Sequence, residues 1–234
     1  MNASGPIVPA MSAAVLAGGQ SRRMGRDKAT LVPPGQSLPL VDLVAEVLLT
    51  LSDDVLVIGG PPDRPVRPGV RREPDAPGSA GPLRGIAAAL QAARHEWCLV
   101  VACDLPFLSP VLLRSLCAVR GDADAVVPRT PDADDPETMR AQPLHALYHR
   151  RCRPIALDLL ASTGRAGALL DRVATRYVAD TDLLRLDPEL RSFTNLNTPD
   201  DLARAFGSGN AQDAGTPAHG LYSGLDPRSG VRDR

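Results

Sequence analysis

Three short runs, Ser12 to Ala17, Asp54 to Ile58 and Trp97 to Ala102, are apolar almost throughout, with no alternation of polar and apolar residues. A strand with one wet face alternates, so an uninterrupted apolar strand is one covered on both faces. Between these runs lie segments with helical periodicity. Leu38 to Leu51 places Leu40, Leu43, Val44, Val47, Leu48 and Leu51 on one stripe, and Pro82 to His95 is rich in alanine with proline at its first turn. Strand and helix in alternation predict an α/β fold, with a mostly parallel central sheet flanked by helices.

The same signals continue down the chain. Ser109 and Pro110 read as N-cap and first residue of a helix, as do Thr198 and Pro199. Further strands are expected at Ala123 to Pro128 and Leu144 to His149, and further helices at Pro154 to Ser162 and Ala166 to Val173. Two stretches look irregular: Pro61 to Gly81, rich in Pro, Gly and Arg, and the acidic Thr130 to Arg140. Residues 1–11 read as a flexible leader, 12–206 as one domain, and 207–234 as a disordered tail poor in apolar side chains.

The 234 residues carry a net charge of -1, with seven aromatic side chains among them. That balance supplies neither the basic footprint nor the stacking platform of a nucleic-acid binder. No run of 18 apolar residues is present, so no membrane partner is expected. The apolar stretch from Ala10 to Gly19 has no preceding basic residue and is followed by Arg22 and Arg23, the wrong order for a secretory signal. Cys98, Cys103, Cys117 and Cys152 form no CxxC pair, and the first two sit in an apolar run as small core residues. A reducing cytoplasm is the expected location.

Of 26 basic residues, Lys28 is the single lysine. It is either a chance survivor of an arginine-favouring composition or a position that needs the compact ammonium. Its neighbours decide between the two. The first strand runs directly into Leu16-Ala17-Gly18-Gly19-Gln20-Ser21-Arg22-Arg23-Met24-Gly25-Arg26-Asp27-Lys28. Glycines here permit positive φ and let backbone N–H groups close on an anion, while Arg22, Arg23 and Lys28 add positive charge. No GK[ST] ends the loop and no GxGxxG is present, which excludes the P-loop and dinucleotide-dehydrogenase readings.

That string resembles the nucleotide-binding signature of the molybdenum cofactor guanylyltransferases, at Leu16 to Gly19, Ser21, Arg23, Met24, Gly25, Asp27 and Lys28. Four later segments extend the likeness over about Ala13 to Phe206: Gly81-Pro82-Leu83-Arg84-Gly85, Cys103-Asp104-Leu105-Pro106, Gln142-Pro143-Leu144-His145 and Asn195-Leu196-Asn197-Thr198-Pro199. The resemblance implies a Rossmann-like nucleotidyltransferase domain. It implies transfer of GMP from GTP to the molybdopterin cofactor with release of pyrophosphate, the product passing to molybdoenzymes or their chaperones. Leu16, Ala17, Gly18, Gly19, Lys28, Asp75 and Asp104 would then bind nucleotide. Gln142, Asn195 and Asn197 would face the acceptor, and Lys28, Asp104 and Arg23 would act on the phosphates.

Asp104 also follows from the residues alone. A carboxylate just past a hydrophobic strand sits at the ligand edge of a parallel sheet, and Mg²⁺ takes one or two carboxylates together with substrate phosphates. Asp104 is therefore the expected metal residue and Mg²⁺ the expected cofactor. For Asn195 and Asn197, helix entry and turn bonding remain an equal reading. His145 and His149, four apart, lack a third ligand and read as core or exposed histidines. Arg150, Arg151 and Arg153 are a solvated face or an anion site. Two further functions stay open: a cytidylyltransferase of the same fold acting on molybdopterin or another small acceptor, and a non-catalytic GTP-binding module. Gly59 and its neighbours replace an Asn-containing loop of some relatives, and residues 130–140 match the family pattern poorly.

Overall fold

Strand β1 (Ser12–Leu16) lies between β2 (Asp54–Ile58) and β4 (Trp97–Ala102), parallel to both, in a computed structural model that describes residues 10–18, 28–132, 135 and 137–206. Ser12 faces Asp54 and Cys98 across the ladder, and Leu16 faces Ile58 and Ala102. Every residue of β1 and β2 is buried, as the absence of alternation demands. Ala13 and Val15 point to one face, beneath α1 (Leu40–Leu49) and α3 (Pro110–Ala118). Ala14 and Leu16 point to the other, beneath α2 (Pro82–Ala92), α4 (Arg153–Leu159) and α5 (Ala166–Leu170).

A fourth strand, β3 (Val70–Glu73), adds in parallel outside β2, within a stretch expected to be irregular. Its sequence, Val-Arg-Arg-Glu, has the polar composition of an edge strand rather than an apolar run. Beyond β4 the sheet changes character. Strand β7 (His145–His149) runs antiparallel to β4, and β5 (Ala125–Pro131) antiparallel to β7. β5 therefore points the same way as β4. Its outer half pairs with β6 (Met139–Ala141), so the segment from Thr130 to Arg140 is bracketed by a paired hairpin rather than being irregular. β8 (Thr175–Val178) and α6 (Asp180–Leu184) complete the far side, both too short and too mixed in polarity to stand out in the sequence. The strand order is β3-β2-β1-β4-β7-β5-β6, with β8 beside β5.

The caps expected from the sequence form. Ser109 Oγ accepts from the N–H of Leu112 at the start of α3. Thr198 Oγ1 accepts from the Asp201 N–H, while the Asp201 carboxylate accepts from the N–H groups of Asn197 and Thr198, both at 2.9 Å. This reciprocal box opens α7 (Pro199–Phe206) and fixes the chain just before it. All four cysteines are buried free thiols, and burial pushes the Cys117 thiol up to about 11. Among the described residues no helix is long and apolar enough to cross a membrane.

Asp54 is a buried charged residue in the central strands. Burial opposes its charge, but hydrogen bonds from Ser12 Oγ at 2.6 Å, the Arg94 N–H and the Arg71 guanidinium outweigh it and hold the carboxyl below its usual value. A depressed carboxylate stabilises the fold fully above its unfolded pKa, and that stability is lost as pH falls through the lower folded value. Asp54→Ala is expected to destabilise the protein by about 3 kcal/mol near pH 7 by orphaning these donors. The loss should shrink as the pH is lowered below 4. Denaturant unfolding measured at both pH values checks this, and equal losses at the two would contradict it.

Candidate functional site

The carboxyl ends of β1, β2 and β4 and the amino end of β7 share one edge of the sheet. A cleft of about 1090 Å³ opens there, floored by Leu16, Ala17, Gly18 and the turn from Ala102 to Leu105. Asp75 and the Gly81–Gly85 turn form one wall, and Arg140 to Leu144, leading from the hairpin into β7, form the opposite one. Parallel sheets bind ligands at this edge because the chain turns away on both faces and leaves a crevice.

Three distant segments meet over the end of β4. Lys28, opening a short 3₁₀ turn, donates to Asn197 Oδ1 at 2.6 Å and lies 3.4 Å from Asp104 Oδ2. The Asp104 carbonyl accepts from the Leu196 N–H at 3.0 Å, which ties the Asn195–Asn197 segment to the strand end. Asn197 forms the helix-entry bonds expected of it, its backbone N–H joining the α7 cap, and its side chain meets Lys28. The single lysine of the chain thus lies where its ammonium joins the three segments.

The other Asp104 oxygen, Oδ1, is buried with no hydrogen-bond partner among the described residues. An unpaired buried carboxylate oxygen is costly and invites an explanation. A hard cation would supply one: Asp104 would give one oxygen ligand, the cleft leaves room for phosphates, and Mg²⁺ needs little more from a protein. Among the described residues no group of three or more His, Cys, Asp or Glu could hold a metal by itself, so a closed all-protein cage is absent there.

Asp75 stands over the ends of β1 and β2. A Cβ on Gly18 would lie 2.5 Å from Asp75 Oδ2, and one on Gly59 would lie 2.8 Å from the same atom. Gly18 does not have the positive φ expected from the sequence; it is glycine because the carboxylate leaves no space. Gly18→Ala is expected to push the Asp75 carboxylate aside at a cost of no more than about 1 kcal/mol, because the atoms that must move are the end of a side chain. A loss of about 3 kcal/mol or more in denaturant unfolding would contradict this. The Gly81 turn is equally tight, since a Cβ there would lie 2.4 Å from the Gly164 carbonyl oxygen, at a φ of +139°.

Gln142 and Asn195 both reach the cleft wall, and each is already engaged. Gln142 Nε2 donates to Thr130 Oγ1 at 2.7 Å, and Asn195 Nδ2 to the Phe193 carbonyl at 3.4 Å. Leu16, Ala17, Gly18, Lys28, Asp75 and Asp104 come together at the cleft. Gly19 and Arg23 lie outside the described residues, as do the leader through residue 9 and the tail from residue 207.

The arginines after β7 are elsewhere. His149 pairs with Trp97 at the start of β4, so Arg150, Arg151 and Arg153 follow the opposite edge of the sheet from the cleft. Arg151 is tied to the Asp124 carboxylate and to the carbonyls of Asp122 and Ala123, a structural cross-link rather than an anion site. His145 is buried against the Phe193 ring, with centroids 4.4 Å apart, and burial lowers its pKa to about 4. Two cleft cations escaped the sequence reading, Arg84 and Arg140. Arg84 lies within the Gly81-Pro82-Leu83-Arg84-Gly85 segment, in the first turn of α2, and that location was the available signal. Arg140 lay in the segment read as irregular.

Residues 13–178 match the MobA-like NTP transferase domain. A protein of Pelotomaculum thermopropionicum named probable molybdenum cofactor guanylyltransferase is 38% identical over 192 residues, which span 82% of this chain and 89% of that one. The crystal structure of molybdopterin-guanine dinucleotide biosynthesis protein A from Archaeoglobus fulgidus superimposes with a TM-score of 0.70 at 28% identity, covering 84% of this chain and 97% of that one. A 2-C-methyl-D-erythritol 4-phosphate cytidylyltransferase from Thermus thermophilus shares the fold, with a TM-score of 0.62 at 18% identity over 84% of this chain and 97% of its own.

Proposed function

The chain belongs to the family of MobA-like NTP transferases, and on that footing we propose that it transfers GMP from GTP to the molybdenum-bearing molybdopterin cofactor, releasing pyrophosphate. The observation that carries the reading is the junction of Lys28, Asp104 and Asn197 at the cleft, built from three segments that meet only in the folded chain. A protein that merely held a nucleotide would have little use for a lysine beside a carboxylate with an unpartnered oxygen.

Transfer of a nucleotidyl group needs positioning and charge neutralisation more than covalent help from the protein. The terminal phosphate of molybdopterin is already ionised, so no side chain need act as nucleophile. The Leu16–Gly19 backbone holds the nucleotide, Asp75 contacts it, and Lys28, with Arg23, stabilises the charge that develops on the triphosphate. Asn197 holds the ammonium in position, and Gln142 and Asn195 line the side from which the acceptor enters. Asp104 is the residue that would hold Mg²⁺, and its unpartnered oxygen supports this. When bound, Mg²⁺ neutralises phosphate charge. The catalytic unit is residues 12–206, acting in the cytoplasm, and its product goes to molybdoenzymes or their chaperones.

Pyrophosphate release in the presence of molybdopterin and Mg²⁺, measured with GTP and with CTP, tests the proposal. Preference for GTP is expected. Preference for CTP would replace it with the cytidylyl reading, which the shared fold alone does not separate.

A further inference from the structure

We infer that Arg84 is a specificity-determining residue that reads the N7 and O6 edge of guanine, side by side with Asp75, which takes the N1–H and N2–H₂ edge. The inference rests on the guanylyl-transfer reading and adds to it the means by which the base is chosen.

Lys28 and Asp104 gather at the end of β4 and mark the phosphates. The acceptor wall, from Arg140 to Leu144, leads into β7, on the outer side of β4. The acceptor attacks from that side, so the sugar and base must extend the other way, over β1 and β2. The strand order β2-β1-β4-β7 therefore lays out base, phosphates and acceptor in sequence.

Over the ends of β1 and β2 the described residues of the cleft offer one charged pair. The Asp75 carboxylate rests against Gly18 and Gly59, where no Cβ would fit. Arg84 Nε lies 3.8 Å from Asp75 Oδ2, too far for a hydrogen bond, and that buried Nε has no other partner among the described residues. The two residues are also linked through the backbone, because the Ala76 N–H donates to the Arg84 carbonyl at 3.3 Å. The guanidinium is thus held beside the carboxylate without being consumed by it.

Guanine matches such a pair. Its rim presents two acceptors, N7 and O6, followed by two donors, N1–H and N2–H₂. A guanidinium donates to the first two and a carboxylate accepts from the second two, which is the bidentate geometry arginine favours with guanine. Adenine presents a donor where O6 would be, and its N1 is an acceptor facing the carboxylate. Both contacts fail. Cytosine offers only one donor group to the carboxylate and has no N7.

The experiment is calorimetric titration of the full chain with GTP, 7-deaza-GTP and ITP in the presence of Mg²⁺, without acceptor. The wild type should bind 7-deaza-GTP, which lacks N7, about tenfold more weakly than GTP, the ratio set by one good polar contact. ITP, which lacks the N2 amine, should also bind about tenfold more weakly. In Arg84→Ala the 7-deaza penalty should vanish while the ITP penalty remains. The Arg84 side chain is 38% exposed, so this variant should fold, and thermal unfolding verifies it. Equal wild-type affinity for GTP and 7-deaza-GTP would overturn the inference. So would an Arg84→Ala variant that weakens all three nucleotides equally and is rescued by Arg84→Lys, because a phosphate contact needs charge and no planar fork. Binding is read without transfer, so absence of guanylyl product would refute the proposed function and leave this result standing.

Discussion

Lys28→Arg is expected to lower kcat by about a hundredfold although the charge is kept. The ammonium occupies a confined place, 2.6 Å from Asn197 Oδ1 and 3.4 Å from Asp104 Oδ2, with its side chain 17% exposed. A guanidinium is planar, wider and delocalised, and it does not present one compact charge to both a phosphate oxygen and the two protein partners. The change should fall on kcat more than on GTP affinity, because the interaction proposed for Lys28 strengthens as charge moves onto the leaving pyrophosphate. Steady-state kinetics over a range of GTP concentrations provides the test. Wild-type kcat in this variant would show that any cation serves at position 28.

Asp104→Ala should remove turnover more severely, by about a thousandfold or more, while nucleotide binding persists in part. The variant removes the carboxylate whose Oδ1 has no partner among the described residues and leaves Lys28 its contact with Asn197. The backbone carbonyl that holds Leu196 is untouched, so the Asn195–Asn197 segment should keep its place. Titrating Mg²⁺ against activity separates a metal role from a structural one. Full activity at ordinary Mg²⁺ concentrations would make the metal assignment to Asp104 wrong.

The central strands were legible because burial on both faces leaves an unmistakable mark: β1, β2 and β4 contain runs of apolar residues that fit little else. Helices α2 and α3 were legible for another reason, proline at the first turn, where its missing N–H costs nothing. Edge elements left no such mark. β3 is an edge strand, half-buried beyond Val70, and reads Val-Arg-Arg-Glu, and β8 reads Thr-Arg-Tyr-Val, so neither separates from a loop in composition. The reversal of β7 was also hidden, since a strand covered on both faces reads alike in either direction.

For the site, the motif order made Lys28 and Asp104 visible, and folding brought them within 3.4 Å. What remained hidden was the reason for particular residues. Gly18 resembled a conformational glycine and is a steric one, set by Asp75 from 57 positions further along the chain. Arg84 resembled the solvated arginines that fill this sequence, and only its place in the cleft beside Asp75 sets it apart. Arg151 illustrates the converse: a cluster of charge suggested an anion site, and the fold uses it to cross-link Asp124. Long-range contacts of this kind have no local signature.

The most direct measurement is the mass of the product formed when the full chain is incubated with GTP, Mg²⁺ and molybdenum-bearing molybdopterin. The account predicts a species heavier than the acceptor by one guanylyl group, formed in step with pyrophosphate. Recovery of unmodified acceptor while GTP is bound, or transfer of a cytidylyl group in preference when CTP is supplied, would contradict it.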